Sequence, residues 1–566
     1  MVIRLCFIFI FLLHLQLNAQ QYPTDVYMEP MDLPIELSGS FSELRSVSFH
    51  SGIDIRVINR PNRKVYAIGN GYISRIKVEP GGYGNALYIT HPEGYVSVYA
   101  HLDFFTKDIA ELIKSIQYKN EKFHNDVYFP KDSLIVKKGD IIGIAGNTGY
   151  SFGAHLHFEI RDAVTEEPID PLLFGFRVKD ISPPVFNELK LYSHGNSMIN
   201  HKNNDLILKT TRQSTGKYTI SSVPEVSGAI SFGFEITDKQ NQSNPNRLGL
   251  KSIKVFADDS LFAEIRFEKL NFTTVRHQLA FIDYPEREKS KKRFQRTWKK
   301  PGNESEIYYF LQNDGILLTN ESRLYNIRCM IEDIGGNKAE LSFTIKGKPF
   351  SDYNPEKQCS SNETLIKHNT EKVWDGISTQ VIFHKNTLFS DECISIAESR
   401  NIYSLPSIQV LCNEVISKPF SIRFKCDTVP LDFKKMVIAR VGLKESLNGI
   451  TTTFSDGWFE GESRNFGDFV LTLDTIPPLI QPLNIPSNGD ISATKRLRFK
   501  VTDDISGIYS YNAFIDDQWV LLEYSLKDDE MFYIVDERMP TSQCRFKIVV
   551  YDQCNNVSIK EFDLKR

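Results

Sequence analysis

The run Ala154-His155-Leu156-His157-Phe158-Glu159-Ile160 alternates polar and apolar side chains with a period of two, so it belongs in a sheet and not on a helix. On a strand, His155, His157 and Glu159 share one face and Leu156, Phe158 and Ile160 the other, which predicts a half-buried strand presenting two imidazoles together. Much earlier, His50-Ser51-Gly52-Ile53-Asp54 reads the same way. His50 and Asp54 fall on one parity, Ile53 and Ile55 on the other, and Gly52 keeps the space between the two ligands clear. A third alternating segment, Val96 to Ala100, ends at His101. Two imidazoles and a carboxylate are a common ligand set for catalytic zinc, with metal–ligand distances of roughly 2.0–2.2 Å and a fourth position left to water. Hydrolysis also needs a proton acceptor and a donor to the developing oxyanion. Four histidines and one aspartate are on offer, enough for three ligands and two proton-handling groups.

Alone, each piece has a bland reading. A His-x-His strand is more often ordinary core or surface histidine, and the Gly-rich stretch Lys138 to Gly149 would also suit a biotinyl or lipoyl carrier hairpin, except that no lysine sits at a tight turn to be modified. The joint order is far more specific. Residues 37 to 175 carry Phe41-Ser42-Glu43-Leu44-Arg45, His50-x-x-x-Asp54, Gly69-x-Gly71, Tyr83-Gly84-Asn85 and Tyr99-Ala100-His101-Leu102. They continue with Lys138-Gly139-Asp140-Ile141-Ile142-Gly143, Gly146-Asn147-Thr148-Gly149, Gly153-Ala154-His155-Leu156-His157-Phe158-Glu159 and Asp170-Pro171. In this series the chain resembles the lysostaphin-like zinc endopeptidases, which cut the peptide bridges of bacterial cell wall. No position of the set is missing or substituted. The resemblance implies one Zn2+ held by His50, Asp54 and His157, with His101 and His155 as the non-ligand catalytic histidines. It implies a peptidoglycan peptide as substrate, and it leaves open which of the two histidines is the base. Glu43 and Arg45 read as a local ion pair supporting the metal ligands.

Export is expected from the first residues. Arg4 precedes the apolar run Leu5 to Leu13, and Leu17-Asn18-Ala19 offers a small-residue boundary, so 1–19 reads as a cleaved signal peptide and the destination as periplasm or cell envelope. Cys6 lies inside the apolar run, which argues against a lipid anchor, and no stable membrane insertion is expected after cleavage. A formal net charge of -4 gives no sign of a nucleic-acid partner. Of eight cysteines, Cys6 falls in the leader and seven remain, so at least one is unpaired; Cys544 and Cys554 flank an expected hairpin and suit a bridge, but spacing does not fix pairing, and free buried thiols stand on equal terms with disulfides.

A chain of 566 residues has room for several domains, and its 39 Phe and 24 Tyr favour strands. The expected class is mainly β: an N-terminal lysostaphin-like antiparallel β peptidase domain (37–176) after a short segment (20–36), followed by β-sandwich modules. Asp180-Ile181-Ser182-Pro183-Pro184 punctuates the chain like Asp474-Thr475-Ile476-Pro477-Pro478. Phe234 to Asp238 matches Phe499 to Asp503, and Ile331-Glu332-Asp333 with Asn337 matches Val550-Tyr551-Asp552 with Asn556. These repeats suggest immunoglobulin-like sandwiches at 177–348 and 474–566. Residues 349–473 read as a further β module of unknown role, whose segment from Trp458 to Leu471 is expected to pack on the next sandwich or to bind glycan. The insertion Asp103 to Lys137 carries a helical stripe of Ile109, Leu112, Ile113 and Ile116, suited to packing or to a lid. The basic run Arg287 to Lys300 reads as a solvated loop or a contact for anionic polymers. Two other classes of function stand beside the endopeptidase: a non-catalytic envelope regulator of other wall hydrolases, and a structural or adhesive β-module protein.

Overall fold

The computed structural model describes residues 22–566 apart from 61–62, 242–245, 351–352, 355, 401–405 and 426–432. The expected signal peptide lies outside the described residues, as does Cys426. Strands dominate and nearly all ladders are antiparallel. The main N-terminal sheet runs in the order Leu37–Gly39, Ile53–Arg56, His155–Asp162, Tyr95–Ala100, Asn85–Thr90, Gly71–Val78 and Asn125–Tyr128. The histidine strand is thus central, between the strand that carries Asp54 and the one that ends beside His101.

Leu156, Phe158 and Ile160 enter a core with Ile53, Ile55, Ile89 and Leu102, as the alternation requires. The opposite face corrects the half-buried expectation, because Glu159 is 0% exposed and that face is covered too. A buried polar face persists only when its groups bond to one another, and these do. Val96 to Ala100 are likewise all buried, since Val96, Val98 and Ala100 meet Ala86 and Tyr88 on the second face. Strand parity does not reach His50, for the strand begins at Ile53 and the chain bends before it. Gly52 is required for a different reason than expected: a Cβ there would stand 2.3 Å from the Phe158 carbonyl oxygen of the neighbouring strand.

The insertion forms an α-helix, Lys107–Asn120, whose Ile109 and Ile113 enter the same core. Its other side meets the C-terminal region through a Lys114–Asp536 ion pair of 2.8 Å and an edge-on Tyr118–Trp519 contact. The helix is a brace and lines no part of the histidine groove. Residues 22–36 pack rather than cover the groove, Tyr22 and Tyr27 resting against Phe174.

Downstream, the long strand Glu225–Thr237 organises a sheet whose core also takes in Phe41 and Phe49. Sheets of six and five strands enclose a core between Ile366 and Leu471, and two four-stranded sheets enclose the last core, where Phe499 stacks on Phe546. Phe459 and Phe469 lie in the middle core, with Phe466 packed partly buried against it, so these rings pack within their own module rather than on the next sandwich. The basic run is not a solvated loop: Arg296 and Lys300 are buried against Asp283 and Glu414, and Arg293 donates to the Leu44 carbonyl. Among the described residues one disulfide joins Cys359 and Cys393, whereas Cys544 and Cys554 are free thiols. Both of these lie at or just beyond the ends of the single strand Cys544–Asp552, whose extension keeps them apart.

Candidate functional site

Register brings the site together. In the histidine strand, His157 lies opposite Asp54 on one neighbour and opposite Ala100 on the other. Cross-strand partners share a face, so Asp54 and His157 project side by side. His101 is one residue beyond Ala100, and strand parity would send it to the opposite face. A left-handed backbone at His101, φ 60°, returns its ring to the histidine side. Such a conformation costs roughly 1–2 kcal/mol for a non-glycine residue. The bond from His101 Nδ1 to the Thr148 carbonyl, 2.8 Å, offsets part of that strain.

His50 is held from outside the main sheet. Its Nδ1 donates to the Ser40 carbonyl at 2.8 Å, while Ser40 Oγ accepts the Gly249 amide at 2.7 Å. With Phe41 and Phe49 anchored in the downstream core, the loop that presents His50 is clamped at both ends. Three atoms then converge: His50 Nε2 and His157 Nδ1 are 3.0 Å apart, and Asp54 Oδ1 is 3.1 Å from the first and 2.9 Å from the second. His157 Nε2 donates to Glu159 Oε1 at 2.7 Å, so in the neutral rings both inward nitrogens carry lone pairs. Two lone pairs and a carboxylate turned on one point need a shared positive charge, which either a proton on His157 or a metal ion supplies. The donor set and its outer hydrogen bonds fit a metal ion.

Burial would raise the Asp54 carboxyl, but His50 and the bonds from His157 and His50 outweigh it and hold the group well below the usual carboxylate range. Burial and then the Arg45 guanidinium lower His50 to about 4. Burial opposes protonation of His157 too, yet the bonds to Asp54 and Glu159 raise it to about 9. Burial, followed by His157 and His155, lowers His101 to about 3, and burial also lowers His155. The His155 Nδ1 donates to the Gly153 carbonyl at 2.7 Å, leaving its Nε2 turned inward, 3.5 Å from Asp54 Oδ1. His101 and His155 therefore stand as neutral rings with free inward nitrogens, 4.9 Å apart between centroids.

All five singled-out residues, His50, Asp54, His101, His155 and His157, line one open groove of about 500 Å³. Arg45 reaches Asp54 Oδ2 at 2.5 Å and Glu43 at 3.2 Å, the ion-pair support expected of that pair. Sequence reasoning missed the role of Glu159, which accepts from His157, Ser51 (2.7 Å), Tyr83 (2.6 Å) and Arg161 (2.6 Å). Its signal was available, since residues 155, 157, 159 and 161 share one parity and are all polar. Tyr83 and Thr148 stood within the motifs but, like Ser40, gave no sign of which group each one bonds. Lys527 of the last sandwich also reaches the groove's rim, donating to the Asn147 and Ser151 carbonyls.

The model of peptidase family M23 matches residues 48–171, and that of the Zu5-like domain matches residues 363–474. The chain is 31% identical over 129 residues to the DD-carboxypeptidase/endopeptidase Mpg of Neisseria meningitidis serogroup B, a stretch covering 23% of this chain and 23% of that protein. It is 31% identical over 97 residues to lipoprotein NlpD of Yersinia enterocolitica, covering 17% of this chain and 75% of NlpD. Among solved structures, the catalytic domain of lysostaphin from Staphylococcus simulans aligns with 25% identity over 25% of this chain and 88% of that one, at a TM-score of 0.18. The chain thus spans less than a quarter of the length of Mpg.

Proposed function

We propose, since the chain belongs through residues 48–171 to peptidase family M23, that it is a zinc-dependent endopeptidase hydrolysing peptide crosslinks of bacterial peptidoglycan. The observation that carries this reading is the convergence of His50 Nε2, Asp54 Oδ1 and His157 Nδ1 between two further neutral imidazoles. His50, Asp54 and His157 would hold the ion. When bound, zinc supplies Lewis acidity toward a scissile carbonyl and acidifies water at neutral pH.

The protein's own groups account for the rest. Ser40 and Glu159 fix the ring orientations of His50 and His157, and Arg45 holds the second oxygen of Asp54. His155, nearest to Asp54, is the base that takes the water proton on Nε2. His101 is its catalytic partner beside the reacting oxygen, with its ring orientation fixed by the Nδ1–H bond to the Thr148 carbonyl. The open groove, rimmed by Arg45, Arg56, Tyr150 and Phe152, accepts an extended peptide. Similarity to a DD-carboxypeptidase/endopeptidase, Mpg, favours a D-alanyl crosslink as the bond cut, and the leader pattern favours export to the periplasm or envelope. The same proposal divides the chain at 37–176, 177–348, 349–473 and 474–566, with immunoglobulin-like modules at the second and last.

Incubating defined peptidoglycan with purified protein, and reading released fragments by mass spectrometry beside zinc content, tests this reading. H101A and H155A should release no fragments and keep zinc, while D54A should lose both. Zinc retained by D54A overturns the ligand assignment. Intact zinc without any fragments would favour the non-catalytic regulator, against which the complete set of five side chains stands.

A further inference from the structure

Away from the histidines, the repeated aspartates of the sequence converge a second time. Asp180 comes from the segment that leaves the peptidase region, Asp238 follows the strand Glu225–Thr237, and Asp333 ends the strand Leu324–Asp333. One oxygen of each carboxylate lies within 4.8 Å of the others. The three residues are 9%, 3% and 0% exposed. Like charges this close repel, and the charges that bear on Asp238 are those of Asp333 and Asp180, with no cation among them.

The available donors are few. The Ser182 amide bonds Asp180 Oδ1 at 2.9 Å, and Asn337 bonds both oxygens of Asp333, at 2.8 Å through its amide and 2.9 Å through Nδ2. Asp180 Oδ2 and both oxygens of Asp238 are buried without a hydrogen-bond donor among the described residues, and the adjacent Lys239 amide is the group that favours the charged form of Asp238. A side chain so deeply buried and aimed into two other carboxylates calls for a cationic partner.

The last sandwich carries the matching aspartates without the same closure. Asp474, Asp503 and Asp504 bring carboxylate oxygens within 4.8 Å of one another, but Asp504 is exposed, Asp503 is partly exposed, and the Ser506 and Gly507 amides bond Asp474 and Asp503. Asn556 repeats Asn337 in detail, bonding both oxygens of Asp552 at 2.8 and 2.7 Å, with Nδ2 also on the Asp474 carbonyl at 3.0 Å. We propose that the first cluster, Asp180, Asp238 and Asp333, is a calcium site. Donors that are all oxygen, mostly carboxylate and without nitrogen or sulfur suit a hard cation of flexible coordination number. The affinity expected is that of extracellular modules, on the order of 10⁻⁴ to 10⁻³ M.

The site has a structural consequence for the peptidase region. Gln240, two residues past Asp238, donates to the Lys179 and Ile35 carbonyls, both at 3.3 Å, and accepts the Leu37 amide at 2.9 Å. Leu37–Gly39 pairs with the strand that carries Asp54. Calcium held by Asp180 and Asp238 therefore ties the joint between the two regions to the edge of the catalytic sheet. The competing occupant is a proton, since burial, then Asp333 and Asp180, push the Asp238 carboxyl up to about 8.

Calorimetric titration of the calcium-free full chain with CaCl2, and in parallel with MgCl2, tests the assignment without any reading of peptidase activity. Wild type should bind one calcium ion and melt at a higher temperature in its presence. D238N should bind none, while calcium-free D238N melts no lower than calcium-free wild type because the amide replaces a carboxyl that a proton already holds neutral. Wild type binding no calcium at millimolar concentration, D238N keeping the full stoichiometry, or magnesium binding as well as calcium would each overturn it.

Discussion

Replacing Glu159 with Gln changes almost no volume and removes one charge from the centre of the hydrogen-bond network behind His157. The wild-type carboxylate is 0% exposed and accepts from His157, Ser51, Tyr83 and Arg161. A carboxamide turns one of its two acceptor atoms into a donor, so either the Arg161 Nε–H or the His157 Nε2–H faces another N–H. Arg161 is 4% exposed and its other carboxylate partner, Glu166, is 3.4 Å away at the surface, so the guanidinium is left buried and undercompensated. Breaking one side of a buried pair costs about 3–5 kcal/mol. For the metal, losing an outer partner of a ligand histidine lowers affinity by roughly 10–100-fold, which is about 1.4–2.7 kcal/mol. E159Q should therefore show a lower first melting transition in scanning calorimetry and weaker zinc retention in a chelator competition. E43Q, which alters a group that touches Arg45 and neither imidazole, should lose less than about ten-fold in zinc affinity as the matched control. Wild-type zinc affinity in E159Q would refute the claim that Glu159 sets the His157 ring.

Three further outcomes follow from features outside that network. Burial pushes the Asp170 carboxyl up to about 7, so the folded chain binds its proton more tightly than the unfolded chain does. Stability should accordingly fall as pH rises from about 4 to 7, and D170N, which preserves the cap on Leu172, should flatten that slope in melts across the window. Lys527→Ala removes the half-buried ammonium that holds the Asn147 and Ser151 carbonyls, beside the Thr148 carbonyl that anchors His101; kcat/KM on wall fragments should fall several-fold with zinc content unchanged, and unaltered kinetics would remove Lys527 from the groove. Cys359→Ser opens a loop of separation 34, which should cost the middle region about 4 kcal/mol by chain entropy and shift only that region's denaturant midpoint.

The donors of the metal site were legible because side-chain chemistry and strand period are local properties. His155, His157 and Glu159 share a face in any strand, and Leu156, Phe158 and Ile160 must then seek a core. Reading that face as solvated went wrong for the same reason that it was readable: periodicity separates two faces but says nothing of what covers each one. The helix Lys107–Asn120 was visible from its stripe, yet its contacts with Asp536 and Trp519 were not, since those partners lie hundreds of residues on. Spacing left Cys544 and Cys554 open between a bridge and free thiols because it ignores the strand that holds them apart.

By itself the sequence determined which groups can ligate, donate or accept, where apolar faces alternate, and that two aspartate-marked segments repeat. Only the tertiary structure decided that His157 registers against Asp54, that a left-handed backbone turns His101 toward it, and that Ser40 orients His50 under a clamp from the downstream core. The physical reason is that each of these depends on a hydrogen bond or contact between segments distant in the chain. Their energies arise only once the sheet has formed and water has been excluded from between them.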